Sequence, residues 1–61
     1  MTLRQIYNKL RNEGEVVIGN IELIWDGFGT EVSKDDEYQF TASSWFEVVD
    51  YLTENEVITN A

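Results

Sequence analysis

Residues 15–41, EVVIGNIELIWDGFGTEVSKDDEYQFT, decide the fold, because short hydrophobic stretches alternate there with residues that favour turns. A period of two is typical of strands, and Gly19-Asn20 between two such stretches is typical of a hairpin turn. Because tight turns join the stretches, we expect an antiparallel meander of three or four strands, irregular at Gly29. The predicted strands are residues 15–18, 21–25, 28–33 and 37–41.

The segments on either side of this region have helical periodicity. Apolar residues recur at i, i+3, i+4 and i+7 in residues 2–12 and again in residues 44–54, which places each set on one face of a helix. Thr2 and Ser44 are good N-terminal caps, and a Gln or Glu three positions later completes the capping-box pattern in both cases. Gly14 is suited to end the first helix.

These elements predict a single domain of the α+β class. A chain of 61 residues is long enough for one domain. Each helix has an apolar stripe, and one sheet face must accept both stripes, so we expect the order α-β-β-β(β)-α with the N- and C-terminal helices packed on one face. Residues 58–61 should fray. The expected principal core residues are Trp25, Phe40, Trp45 and Leu52.

The order of elements resembles that of the double-stranded-RNA-binding fold. A domain of that kind needs basic residues at its second helix, whereas the second helix here carries Glu47, Asp50 and Glu54. The resemblance therefore implies a fold and not RNA binding, since a shared fold does not transfer function.

The composition excludes several kinds of function. The chain has twelve Asp or Glu, four Lys or Arg, and no His, Cys or Pro, for a net charge of −8. Without Cys and His, disulfides, Cys/His zinc sites and Ser-His or Cys-His nucleophiles cannot form. Phosphates repel a chain of this charge, which argues against direct nucleic-acid binding. We therefore expect no catalytic residue, no cofactor and no bound metal.

Neither membrane insertion nor export is expected from the sequence. No apolar run approaches the roughly 20 residues that a membrane-spanning helix needs. No basic segment followed by an apolar stretch marks a signal peptide. We expect a soluble protein of the cytoplasm that makes no membrane contact.

The charge is unevenly distributed along the chain. Residues 1–12 carry +3 and contain no acid, whereas residues 13–61 hold all twelve acids and one Lys, which gives −11. In one interpretation the first helix makes screened ion pairs with acidic neighbours, each worth about 0–1 kcal/mol. In the other, the opposite charges favour head-to-tail self-association, so that a homo-oligomer is expected.

Two acidic surfaces are candidates for binding a protein. If the strand aromatics face the helices, the open sheet face collects several acids around a small apolar centre. The second helix has an acidic strip opposite its apolar stripe, and Phe46 and Tyr51 flank that stripe. Ordinary solvation would also produce both surfaces. The candidate residues are Glu15, Val17, Glu22, Ile24, Glu31 and Glu37 on the sheet, and Glu47, Asp50 and Glu54 on the helix.

Two functions remain open at this stage. The first is a small acidic protein-binding module, of a size and acidity found among phage and mobile-element accessory proteins, that blocks a basic nucleic-acid-binding surface as a DNA mimic. The second is a structural or assembly protein that acts through homo-oligomerisation or sheet-edge pairing and has no inhibitory role. Salt separates them, because an acidic decoy should lose its partner as ionic strength rises, whereas a hydrophobic assembly interface should not.

Overall fold

The computed structural model describes residues 2–55, in which a helix, four strands and a second helix follow one another. The strands form an antiparallel sheet in the order β1-β2-β3-β4. The predicted α+β architecture is confirmed, with four strands, and the fraying predicted for residues 58–61 lies outside the described residues. The elements are α1 (Leu3–Glu13), β1 (Glu15–Ile18), β2 (Ile21–Trp25), β3 (Thr30–Lys34), β4 (Glu37–Ala42) and α2 (Trp45–Glu54).

Both ends of α1 are closed by the residues that the sequence pattern indicates. The Thr2 hydroxyl accepts a hydrogen bond from the Gln5 N–H at 3.2 Å, and the Gln5 side chain accepts one from the Thr2 N–H at 2.9 Å. At the other end Gly14 has a φ of 82°, and its N–H donates to the Leu10 carbonyl at 2.8 Å. Gly suits this position because a Cβ is strained in the left-handed region.

The two helices cover one face of the sheet between them. The central strand residues on that face are buried, those at its margins, such as Ile18 and Trp25, are half-buried, and those on the other face are exposed or half-buried. α1 packs on β1 and β2, while α2 packs on β3 and β4. The enclosed side chains form one aliphatic core. Its members among the described residues are Ile6, Leu10, Val16, Ile21, Leu23, Val32, Ala42, Val48 and Leu52.

The aliphatic character of the core corrects one prediction. Leu52 is fully buried as expected, but Trp25, Phe40 and Trp45 are only partly buried and pack against the core from its rim. A domain this small has one thin layer of interior, and a ring as large as that of Trp is rarely enclosed on all sides. The aromatic side chains therefore shield the core edges.

A β-bulge at Gln39 changes which side chains of β4 face the helices. Phe40 pairs with Val32, but the next residue of β3, Ser33, pairs with Tyr38, which leaves Gln39 as an extra residue. Strict alternation along β4 would put Tyr38 and Phe40 on the same face, so the condition that all the strand aromatics face the helices is not met. Phe40 faces the helices, whereas Tyr38 lies on the open face and is 60% exposed.

Two Asp residues with positive φ form the turn between β3 and β4. Asp35 has a φ of 54° and Asp36 a φ of 64°, values that a two-residue hairpin turn needs and that Asn-Gly adopts most readily. Asp35 is tied to the β1–β2 turn, because its N–H donates to the Asn20 carbonyl at 2.9 Å and its carboxylate accepts from the Asn20 amide at 3.0 Å. Among the described residues, Asp36 makes no such contact, so it is the better position at which to remove the strain of a positive φ by substitution.

Replacing Asp36 with Gly should stabilise the protein, because Gly adopts a positive φ without the steric cost that a Cβ carries. We expect the free energy of unfolding to rise by about 1 kcal/mol, measured by thermal or urea denaturation. Asp36→Ala is the matched control, since it removes the same charge and keeps the Cβ, and it should give no gain. An equal gain in both variants would trace the effect to charge repulsion.

Replacing Leu52 with Ala should remove most of the stability, because Leu52 is fully buried between α2 and the sheet. The expected loss is roughly 2–5 kcal/mol, against a total that is small for a domain of this size. Asp50→Ala, on an exposed position of the same helix, should change stability by about 0.5 kcal/mol or less. Urea denaturation compares the two, and a Leu52→Ala variant as stable as Asp50→Ala would contradict the assignment of the core.

Candidate protein-binding surfaces

The sheet face turned away from the helices presents eight side chains in two rows across the four strands. No described element packs on this face. Three of the eight are Glu, and none of these described residues is Lys or Arg. We call it the open sheet face. Its rows are Glu15, Ile24, Glu31 and Thr41, and Val17, Glu22, Ser33 and Tyr38.

The three carboxylates of the open sheet face lie in a zigzag. Ile24 pairs with both Glu15 and Glu31, while Glu22 lies on the same strand as Ile24 and diagonal to the other two acids. Diagonal neighbours in an antiparallel sheet are about 7–8 Å apart. None of the side chains of the face is a cation, and Lys9 of α1 lies only at its β1 edge, beside Glu15, so carboxylates dominate the charge of the face.

Apolar side chains lie among the carboxylates. Val17 and Tyr38 are each 60% exposed, and Ile24 is half-buried. The Tyr38 and Thr41 hydroxyls share a hydrogen bond of 2.6 Å, which holds the Tyr38 ring on this face. The open sheet face therefore offers a partner both charge and apolar area to bury.

The structure does not bring Glu37 to the open sheet face, which corrects that prediction. Glu37 pairs with Lys34, which lies two residues after buried Val32 and so on the helix side. Lys34 Nζ donates to the Asn55 side chain at the end of α2, at 2.8 Å, which agrees with this placement. The bulge at Gln39 is the cause, since one extra residue reverses the facing of every β4 residue before it.

The acidic strip on α2 is exposed and separate from the open sheet face. Within it, Glu47 has a structural role at the start of the helix. Its carboxylate accepts hydrogen bonds from the Ser43 N–H at 2.6 Å, the Ser43 hydroxyl at 2.7 Å and the Ser44 N–H at 3.1 Å. These bonds, the Ser43 hydroxyl first, lower the pKa of Glu47. Asp50 and Glu54 are the better members of the strip for charge-reversal experiments.

Replacing Glu47 with Gln should lower the melting temperature at neutral pH. The pKa of Glu47 is lower in the folded chain than in the unfolded chain, so its stabilisation is present above the unfolded pKa and is lost as pH falls through the folded pKa. The advantage of the wild type over Glu47→Gln should therefore shrink as pH falls below the ordinary Glu value of 4.5. Thermal denaturation at several pH values measures this.

Glu54→Gln is the control for this experiment, because it removes the same charge at the other end of α2. A negative charge at a helix C-terminus opposes the helix dipole. Glu54→Gln should therefore leave the melting temperature unchanged or raise it slightly at neutral pH. A decrease equal to that of Glu47→Gln would assign the effect to net charge and not to the cap.

A second surface, which was not predicted from the sequence, lies where α1, α2 and the β2–β3 turn meet. It is a cleft of about 150 Å³ that continues into a shallow apolar shelf between the first turns of the two helices. We call the cleft and the shelf together the arginine–aromatic surface. Its principal lining residues are Leu3, Arg4, Tyr7, Arg11, Trp25, Phe28, Trp45 and Phe46.

Arg11 connects the rings of this surface. Its guanidinium carbon lies 4.4 Å from the Trp25 ring centroid and 5.5 Å from that of Tyr7, and its Nη1 donates to the Tyr7 hydroxyl at 2.6 Å. The Tyr7 ring meets the Trp45 ring edge-on, with centroids 5.1 Å apart. These cation–π and edge-to-face contacts join α1 to β2 and to α2.

The β2–β3 turn holds Phe28 in solvent on a fixed backbone. The Asp26 carboxylate accepts hydrogen bonds from the Phe28 N–H at 2.9 Å and the Gly29 N–H at 3.0 Å, and these bonds lower the pKa of Asp26. A Cβ on Gly29 would lie 2.8 Å from the Ala42 carbonyl oxygen. Because of this turn the third strand begins at Thr30, two residues later than predicted, and Phe28 is 95% exposed.

One contact of the arginine–aromatic surface could have been predicted from the sequence. Tyr7 and Arg11 are four residues apart on one helix, a spacing at which side chains meet. Trp25 joins them because its N–H donates to the Gly14 carbonyl at 2.8 Å, which ties the end of β2 to the end of α1. This tertiary contact has no local pattern that could predict it.

Comparison with known protein families, curated proteins and solved structures finds no match to this chain. Neither of the two described helices is long and apolar enough to cross a membrane. Between residues 2 and 55, no group of three or more acids is placed to hold a metal ion. The function is therefore inferred from the two surfaces.

Proposed function

We propose that this protein is a small acidic protein-binding module that occupies a basic surface on its partner, of the kind that otherwise binds nucleic acid. The observation that carries the proposal is the open sheet face, where Glu15, Glu22 and Glu31 surround Ile24 and none of the side chains of the face is Lys or Arg. Such a face suits a surface of Lys and Arg, because each carboxylate can accept charge-assisted hydrogen bonds.

The rigidity of the sheet supports this proposal. The three acids lie on neighbouring hydrogen-bonded strands, so the positions of their backbones are set before a partner arrives. Binding to a preorganised surface costs less conformational entropy than binding to a flexible acidic segment. Steps of about 7–8 Å between the residues that carry the carboxylates offer a basic partner a series of single negative charges, as a phosphate backbone does.

The net charge of the chain supports the same partner. A charge of −8 on 61 residues attracts a basic surface at long range and speeds encounter. Val17, Ile24 and Tyr38 then supply apolar area that can be buried after encounter, which slows dissociation. Charge and apolar area thus act at different stages of binding.

Sheet-edge pairing is the weaker candidate. β1 has only four residues, and β4 carries the bulge at Gln39. Short edge strands and bulges are both features that hinder the addition of another strand. The open sheet face is better suited to binding than either edge.

Reversing the charge of Glu15 and Glu31 should abolish the proposed interaction. Both side chains are exposed and pair with Ile24, so the double substitution to Lys changes the centre of the face and leaves the core intact. The partner is captured from the native host with the wild-type chain and then purified. We expect the double variant to bind this purified partner at least about tenfold more slowly, measured by surface plasmon resonance at several salt concentrations.

The matched control is the double substitution of Asp50 and Glu54 to Lys, which changes the net charge equally on α2. This variant should lose only the part of the rate that depends on net charge and should bind the purified partner much faster than the sheet variant does, and nucleic acid should compete with this variant and with the wild type. Equal slowing of the two variants would assign the effect to net charge and contradict the proposal. Equal rates for the sheet variant and the wild type, or a wild-type association that does not respond to salt, would contradict the proposal.

A further inference from the structure

We propose that the arginine–aromatic surface is the interface of a symmetric dimer, so that its occupant is a second copy of this chain. The inference rests on the charge balance of the surface, on its exposed rings and on the volume of its cleft. It does not depend on the function proposed above, because the two surfaces lie on opposite sides of the sheet.

The surface is neutral on a strongly acidic chain. Arg4 and Arg11 line it, and the two carboxylates that hydrogen-bond to its lining residues are those of Asp26 and Glu47. The charge of −8 is therefore carried by the rest of the molecule. Since like charges repel, two copies approach each other at the lowest electrostatic cost through this surface.

The same charges make the surface complementary to itself. In a two-fold symmetric interface, any contact from residue i to residue j is repeated from j to i. A surface that carries both cations and anions can pair each with its opposite in the second copy, which a purely acidic surface cannot do. Arg4 of one copy can face Asp26 or Glu47 of the other.

The exposed rings supply the apolar part of such an interface. Phe28 is 95% exposed and Phe46 is 79% exposed, and the backbone of each is held, by the Asp26 turn and by α2 respectively. Burying a Phe side chain gives roughly 1.5–3 kcal/mol. Together with Trp, Tyr and Arg nearby, these rings have the composition of residues that dominate binding energy in interfaces.

The volume of the cleft favours a protein side chain over a small ligand. Small-molecule sites usually enclose about 300–1,000 Å³, whereas this cleft measures about 150 Å³, and the larger adjoining space of about 450 Å³ is a shallow shelf that does not enclose a ligand. A single ring from the second copy, Phe28 or Phe46, is an occupant of suitable size and chemistry. Association would also add stability, because a domain of about 60 residues buries only about 60% of its unfolded surface.

This dimer would leave both open sheet faces free, since they lie on the side of the sheet away from the helices. A dimer would then present two acidic faces to a basic partner, and two linked contacts bind more tightly than one. This last consequence, unlike the dimer itself, rests on the proposed function.

Sedimentation equilibrium from micromolar to several hundred micromolar protein tests the dimer. The wild type should reach twice the chain mass of 7.1 kDa and no more. Substituting both Phe28 and Phe46 with Ser should raise the dissociation constant at least about tenfold. Substituting both Val17 and Tyr38 with Ser, on the open sheet face, is the control and should leave it unchanged. Circular dichroism checks that both variants are folded.

A second pair of variants tests the charge balance. Arg4→Glu should weaken the dimer, because it turns a neutral interface acidic. Lys9→Glu changes the net charge of α1 equally but lies beside Glu13 and Glu15, outside the surface, and should weaken the dimer much less. Equal weakening by both would assign the effect to net charge and overturn the proposed interface.

Three results would overturn the proposal. The first is a wild-type chain that stays monomeric at several hundred micromolar. The second is a Phe28 and Phe46 variant that dimerises as the wild type does. The third is association beyond the dimer that the Val17 and Tyr38 variant abolishes, which would indicate head-to-tail contact through the open sheet face. Loss of partner binding by the Glu15 and Glu31 variant leaves the dimer unaffected, so the two proposals fail separately.

Discussion

One sheet face must accept the apolar stripes of two helices, and this constraint shapes the rest of the molecule. α1 lies over β1 and β2 and α2 over β3 and β4, so the core is a single aliphatic layer with nothing behind the sheet among the described elements. Because the layer is thin, the largest rings move to its rim, where Trp25 and Trp45 meet Arg11 and Tyr7. The arginine–aromatic surface is thus a consequence of the size of the core.

The parts of the fold that depend on local sequence could be predicted. Thr2 with Gln5 and Gly14 set the ends of α1, and β1 and β2 have the predicted bounds. The bulge at Gln39 could not be predicted, because β4 alternates regularly in sequence and only its pairing with β3 shows the extra residue. Because of this one unpaired residue, the strand β4 is predicted correctly but the faces on which its first side chains lie are predicted wrongly.

The predicted residues of the open sheet face were also placed correctly or wrongly according to whether their strand alternates regularly. Glu15, Glu22 and Glu31 come together because each lies on a strand whose alternation is unbroken, whereas Glu37 precedes the bulge and faces the helices. For Glu47, the sequence supports two different roles and does not decide between them. Its spacing from Ser44 predicts a cap, and its charge predicts a binding surface, but one carboxylate with three hydrogen bonds serves mainly the first purpose.

The distribution of the four cations bears on whether the acidity of the open sheet face is incidental. Arg4, Lys9 and Arg11 belong to α1, and Lys34 faces the end of α2, where a cation also favours the helix dipole. None of the four therefore belongs to the open sheet face, although Lys9 lies at its β1 edge, beside Glu15. Solvation alone is satisfied by charges of either sign, so it does not require a face with Glu and no cation. The proposed basic partner would account for such a face, because a single Lys beside Ile24 would repel that partner where contact is closest.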